Sequence, residues 1–178
     1  MNPIVKKNGL FIGLFLGLIH ILITCYLYFS FDLNAFTDLK IGMFKIFISI
    51  VFGIIAILLV KYKMNNLIGF KDAFTSYFIV NFVSSVISFA FFFVLFNYFA
   101  SDVKKESIKK SMIEFQVKTM KQNNATVIEI EKVKQSFESF NPFSFLQGFN
   151  STLKYLLRDS LIGLLVALIF RNQKVPLQ

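Results

Sequence analysis

Three ionisable side chains stand inside otherwise apolar stretches of this 178-residue chain: His20, Lys45 and Asp159. An ionisable group in hydrocarbon is costly, so it faces a helix interior, pairs with another group or marks an ion or solute path. For Asp159 the ordinary reading is an ion pair, either with Lys45 or locally with Arg158. The sharper reading is a proton or solute path past His20 and Asp159. For His20 the ordinary reading is a hydrogen bond to a serine or threonine of a neighbouring helix, such as Ser84 or Ser88. His20 and Cys25 lie about 140° apart on a helix turning 100° per residue, so they do not hold a metal from one face. One histidine and one cysteine leave no zinc or disulfide framework, and no cofactor is expected. The sequence contains no H-E-x-x-H, G-x-S-x-G, G-x-x-x-x-G-K-[ST] or C-x-x-C motif. Serine chemistry based on His20 with Ser84, Ser85 or Ser88 has only close-packing serines to draw on, and the expectation is a protein without enzymatic activity.

The elements that hold these groups follow from composition. Apolar residues make up 56% of the chain and charged residues 16%, whereas soluble domains have roughly 45–50% and about 25%. Lipid is therefore the expected solvent. A helix of about 20 apolar residues, rising ~1.5 Å each, crosses the hydrocarbon core. Spans are expected at about 9–31, 41–60, 75–99 and 151–170. Lys45 is the one charge in the second, near enough to its end for the stem to reach the interface. The fourth is the most charged, with Lys154, Arg158 and Asp159 in its first half. The apolar run after Lys6 and Lys7 is too long for the core of a cleaved signal and lacks a small-x-small cleavage site, so it is expected to stay as an anchor. The six tyrosines fall near the proposed span ends, as an interfacial belt would have them.

Each span gathers its small and polar residues on one side. The sets are Gly9, Gly13, Gly17, His20 and Thr24; Gly42, Lys45, Ser49, Gly53 and Ala56; Tyr77, Asn81, Ser84, Ser85 and Ser88; and Thr152, Tyr155, Asp159, Gly163 and Ala167. Helices in lipid associate through such faces. The expected architecture is an all-α, multi-pass transmembrane four-helix bundle with a polar interior and a phenylalanine-rich exterior, forming a single membrane domain over 1–178.

The connection 102–150 differs in kind, holding eight lysines and six acids. Ile108, Met112 and Phe115 recur at helical spacing, Asn123-Asn124 reads as a turn, and Val127, Ile130, Val133, Phe137 and Phe140 resume the period. An extramembrane amphipathic helical hairpin between spans 3 and 4 is expected, with Thr126 and Glu129 as a capping box and Asn141-Pro142 as a stop. Its apolar stripes can pack on each other, lie on the bilayer or bind a protein. In the short loops Lys6, Lys7, Lys61, Lys63, Lys71, Arg171 and Lys174 outnumber Lys40 and Lys45, which places both termini in the cytoplasm. The net charge of +9 is accounted for by this topology and by attraction to anionic headgroups. No nucleic-acid module is present; the expected partners are the lipid bilayer, a protein bound through 102–150, and a second copy of the chain.

Gly69-Phe70-Lys71-Asp72-Ala73-Phe74, just before the third span, resembles the central motif of a family of small bacterial four-helix integral membrane proteins of unknown function. The charged segment from Met112 to Phe140 and the closing run from Gly163 to Arg171 are also similar to that family. The resemblance implies a multi-pass protein of the bacterial inner membrane and carries over no site.

Overall fold

The structure, a computed structural model, describes residues 1–30, 33–138 and 140–172. Phe31, Lys174 and the Glu138 side chain, which entered the expectations above, lie outside the described residues. The described chain is all α-helical with no strand. Its order is α1 (Pro3–Phe29), a 3₁₀ turn (Leu33–Thr37), α2 (Leu39–Lys63), α3 (Phe70–Val94) running into a π turn (Leu95–Phe99), α4 (Asp102–Gln122), α5 (Val127–Glu138) and α6 (Phe145–Phe170).

Local chemistry sets most of the ends. Asn2 accepts the Ile4 N–H at 2.9 Å ahead of Pro3, and Asp38 accepts the Lys40 N–H at 2.8 Å to start α2. Lys61 and Lys63 in the last turn of α2 complement its carbonyl end. Asn65 and Asn66 then take φ of 53° and 61°, left-handed values that asparagine tolerates, and turn the chain into α3. The expected Thr126 capping box is present: Thr126 Oγ1 accepts the Glu129 N–H at 3.3 Å, and Glu129 accepts the Thr126 N–H at 2.8 Å. Asn124, with φ 58°, supplies the expected turn before it. The helix expected from 151 begins at Phe145, because Ser144 caps it by accepting the Gln147 N–H at 3.4 Å.

Three of the helices, Pro3–Phe29, Leu39–Lys63 and Phe70–Phe99, are long and apolar enough to cross a membrane. α6 has the length, at 26 residues, but carries Lys154, Arg158 and Asp159. Leucine, phenylalanine and isoleucine lie exposed along α1, α2 and α6, which is the surface of a chain solvated by lipid.

The interior is organised by α3, which packs on α1, α2 and α6. α1 and α3 run in the same direction, with Gly9, Gly13 and Gly17 opposite Ile79, Val83 and Ile87. A Cβ on those glycines would come within 2.9, 2.8 and 3.0 Å of the facing side chains. Small residues thus admit branched ones, the packing that substitutes for hydrophobic drive in lipid. At one end Val5, Ile57, Val60, Ile68, Ala73, Val166 and Ala167 form an apolar core. There the two ends of the described chain converge on the α2–α3 connection: Asn2 Nδ2 meets Met64 Sδ at 3.6 Å, and Asn172 exchanges two hydrogen bonds with Ile68 at 2.8 and 2.9 Å.

At the opposite end Phe96, Ile108 and Phe143 form a second core with Tyr28, Phe36 and Phe92 around it. This corrects the expectation that phenylalanine faces outward: Phe96 and Phe143 stack at 4.7 Å and are buried, because the return of the chain before α6 covers them. The expected interior set also needs two corrections. Gly42 has no atom within 4 Å of its Cβ position, so that side of α2 is uncovered. Tyr155 is exposed and lies under the Arg158 guanidinium at 5.2 Å, turned outward by that stacking.

Candidate functional site

The polar residues of the interior follow α3. Tyr77, Asn81, Ser84 and Ser88 succeed one another at four- and three-residue steps and cover about 16 Å of helix. Tyr77 is 0% exposed, so it does not belong to an interfacial belt. Its ring is wedged between Gly53 of α2 and Gly163 of α6, whose Cβ positions it would occupy. Glycines on two different helices are the physical reason that a full aromatic side chain fits at the centre. Tyr26, Tyr62 and Tyr98 are exposed near helix ends as expected.

Asp159, 5% exposed, stands one turn before Gly163 on α6 and acts electrostatically on Tyr77. Its carboxylate accepts from Arg158 Nε at 2.9 Å and Nη2 at 2.8 Å. This two-point contact decides between the two partners considered for it. The pair is local, with Arg158, and the Lys45–Asp159 alternative is not formed. Two nitrogens of the adjacent guanidinium reach one carboxylate oxygen, Oδ1, without a long span, whereas Lys45 lies on another helix.

His20 is buried on α1 with Thr24, whose hydroxyl donates to the His20 carbonyl at 2.9 Å. The expected bond from His20 to Ser84 or Ser88 is absent. Ser84 donates instead to the Asn81 carbonyl at 3.1 Å, the local bond open to a helical serine. Ser88 Oγ and His20 Nε2 are both buried without a partner, as are Tyr77 OH and Asn81 Oδ1. Lys45 is half-buried on α2 and lies within electrostatic range of His20. The three residues singled out by sequence therefore fall into two groups: His20 with Lys45, and Asp159 with Arg158 beside Tyr77.

Sequence reasoning placed Tyr77, Asn81 and Ser88 on an inner face, offered Ser88 as a partner for His20 and Tyr77 as interfacial, and gave Asn81 no role. The available signal was the pair Gly53 and Gly163, each on the inner face of its own helix, which leave room for one large side chain between them. Among the described residues no group of three or more His, Cys, Asp or Glu could hold a metal ion.

Three helices fit to cross a membrane, an apolar surface and a polar seam on the central helix define an all-α membrane protein. The chain belongs to the family described as "protein of unknown function (DUF4199)", which matches residues 10–172. No curated protein and no solved structure matches it.

Proposed function

We propose that this is a bacterial inner-membrane protein with four crossings, α6 being the fourth, and with both termini in the cytoplasm. It is non-enzymatic and brings a protein partner to the membrane through α4 and α5 arranged as a hairpin. The topology draws support from α6, whose Phe170 carbonyl accepts from Lys61 Nζ at 3.3 Å beside the α2–α3 connection. Lys6, Lys7, Lys61, Lys63, Lys71 and Arg171 flank the helices on that side.

One observation carries the functional reading. α4 is rooted by buried Ile108 against Phe96 and Phe143, while the far end of the segment leaves Val127 and Ile128 81% and 82% exposed. A fixed root and an uncovered apolar tip suit presentation to a partner. Lys118, Lys121, Lys132 and Lys134 on the same two helices favour a partner whose apolar patch has an acidic rim. With Ile108 part of the core, substitution at the tip is a cleaner test than deleting the segment. Val127→Glu with Ile128→Glu is expected to leave membrane insertion unchanged and to remove proteins crosslinked from a photoreactive residue at position 122, exposed beside the tip; an unchanged crosslinking pattern would refute the reading.

A second reading, a small transporter or channel component with a path past His20 and Asp159, is favoured by the unpartnered polar groups along α3. It requires His20→Ala or Asp159→Asn to alter proton or solute flux in reconstituted vesicles at normal expression, and equal flux would sink it.

A further inference from the structure

One corner of the interior holds polar groups without partners. Lys45 has no hydrogen bond or ion pair among the described residues. His20, 8% exposed, has its Nε2 buried and unpartnered, and Lys45 acts on it electrostatically. Ser88 Oγ is buried and unpartnered as well. Register brings it to the same level: Gly17 packs on Ile87, α1 and α3 run in parallel, and a helical side chain leans back toward the N-terminus of its helix. The imidazole of His20, three residues beyond Gly17, therefore stands beside the turn that carries Ser88.

The other charged groups of these helices do not complete the set. Among the described residues Asp159 is held by Arg158 and Asp38 caps the start of α2, and Tyr77, an uncharged phenol, lies three turns away along α3. A cation in hydrocarbon without a counter-charge is expensive. An ammonium, an imidazole able to carry its proton on Nε2 and a hydroxyl, brought to one level by this register, together complement an anionic oxygen group. The way in is lateral. Gly42 has nothing within 4 Å, and Met43, Phe44 and Phe47 are exposed, so the stretch of α2 around Lys45 is uncovered toward lipid.

The geometry points to a binding site for the carboxylate or phosphate of an anionic amphiphile, with Lys45 Nζ, His20 Nε2–H and Ser88 Oγ as donors and the acyl chain running along α2. The site is independent of the α4–α5 segment and needs no path across the membrane.

Because His20 is the only histidine, ¹⁵N-histidine labelling of the whole protein in phosphatidylcholine nanodiscs reports on this site alone. Oleate, phosphatidylglycerol and inorganic phosphate are titrated in separate arms. Saturable movement of the ring ¹⁵N resonances is expected with oleate or phosphatidylglycerol. A response to oleate or phosphatidylglycerol supports the site, whereas a response to inorganic phosphate alone places the anion in free solution and overturns the amphiphile. Lys45→Met is expected to abolish the response and Lys40→Met, an exposed neighbour, to preserve it. Ser88→Ala, which leaves the charge in place, should weaken binding about fivefold, the share of one hydrogen bond. No saturable movement with any of the three anions, or an undiminished response in folded Lys45→Met, overturns the proposal.

Discussion

The wedge formed by Gly53, Tyr77 and Gly163 can be weighed with one methyl group. Gly53→Ala places a Cβ inside the Tyr77 ring, and the ring cannot retreat, because on its far side a Cβ at Gly163 would already lie 2.5 Å from it. Overpacking of this kind costs about 1–3 kcal/mol. Alanine also gains about 1 kcal/mol in helix propensity over glycine, so the net effect of Gly53→Ala is a loss of about 0–2 kcal/mol. The same change at Gly42, also within α2, meets nothing within 4 Å and keeps only the propensity gain. The difference between the two variants therefore isolates the packing cost at about 1–3 kcal/mol, because the propensity contribution cancels. Unfolding in detergent, followed by circular dichroism, measures both. Adding Tyr77→Ala to Gly53→Ala should remove the penalty specific to Gly53, leaving only the cavity cost of the tyrosine. Equal stabilities for Gly42→Ala and Gly53→Ala would refute the wedge.

Three further outcomes are expected. Arg158→Ala strips the cation from buried Asp159 and should cost about 2 kcal/mol, less than a wholly buried pair because the Arg158 side chain is 39% exposed; Asp159→Asn in the same chain should restore the loss, and Lys45→Met alone should not reproduce it in unfolding assays. The Thr126 N–H and hydroxyl hold the Glu129 carboxyl below its ordinary pKa. Its contribution to the start of α5 is therefore complete above the usual glutamate range and fades as pH falls through the lowered value, so hydrogen exchange at the first amides of α5 should quicken on acidification in the wild type and be insensitive to pH, beyond intrinsic rates, in Glu129→Gln. Asn172→Ala removes the acceptor for the Ile68 N–H, 2.8 Å away, and should cost about 1–2 kcal/mol and speed exchange at that amide; unchanged exchange would show that the latch contributes nothing.

Much of this fold is legible in sequence because lipid imposes simple conditions. Length and lack of charge locate α1, α2 and α3, and the buried positions of Gly9, Gly13, Gly17, His20 and Thr24 are those a helical wheel gathers on one side. The capping box at Thr126 and the turn at Asn124 are local chemistry, readable in four residues. What escapes is whatever depends on two helices at once. Tyr77 reads both as interfacial and as inner-facing until Gly53 and Gly163 are known to flank it. Asp159 has two candidate cations until rotamer and register are fixed. Phe96 resembles any lipid-facing phenylalanine until the chain around Phe143 folds over it. Gly42 shares the periodicity of Gly53, yet periodicity does not say where a neighbouring helix stops.

The parallel seam between α1 and α3 has a consequence for biosynthesis. The first and third apolar helices to leave the ribosome are each other's partners, and α2 must cross in the opposite sense before the seam can close. Until residue 87 has emerged, the glycine face of α1 and the imidazole it carries have no branched side chains to receive. The nascent first helix must therefore wait in the membrane or at the insertion machinery through the synthesis of the 57 residues between Phe29 and Ile87, and the final pairing is decided by the third helix to arrive.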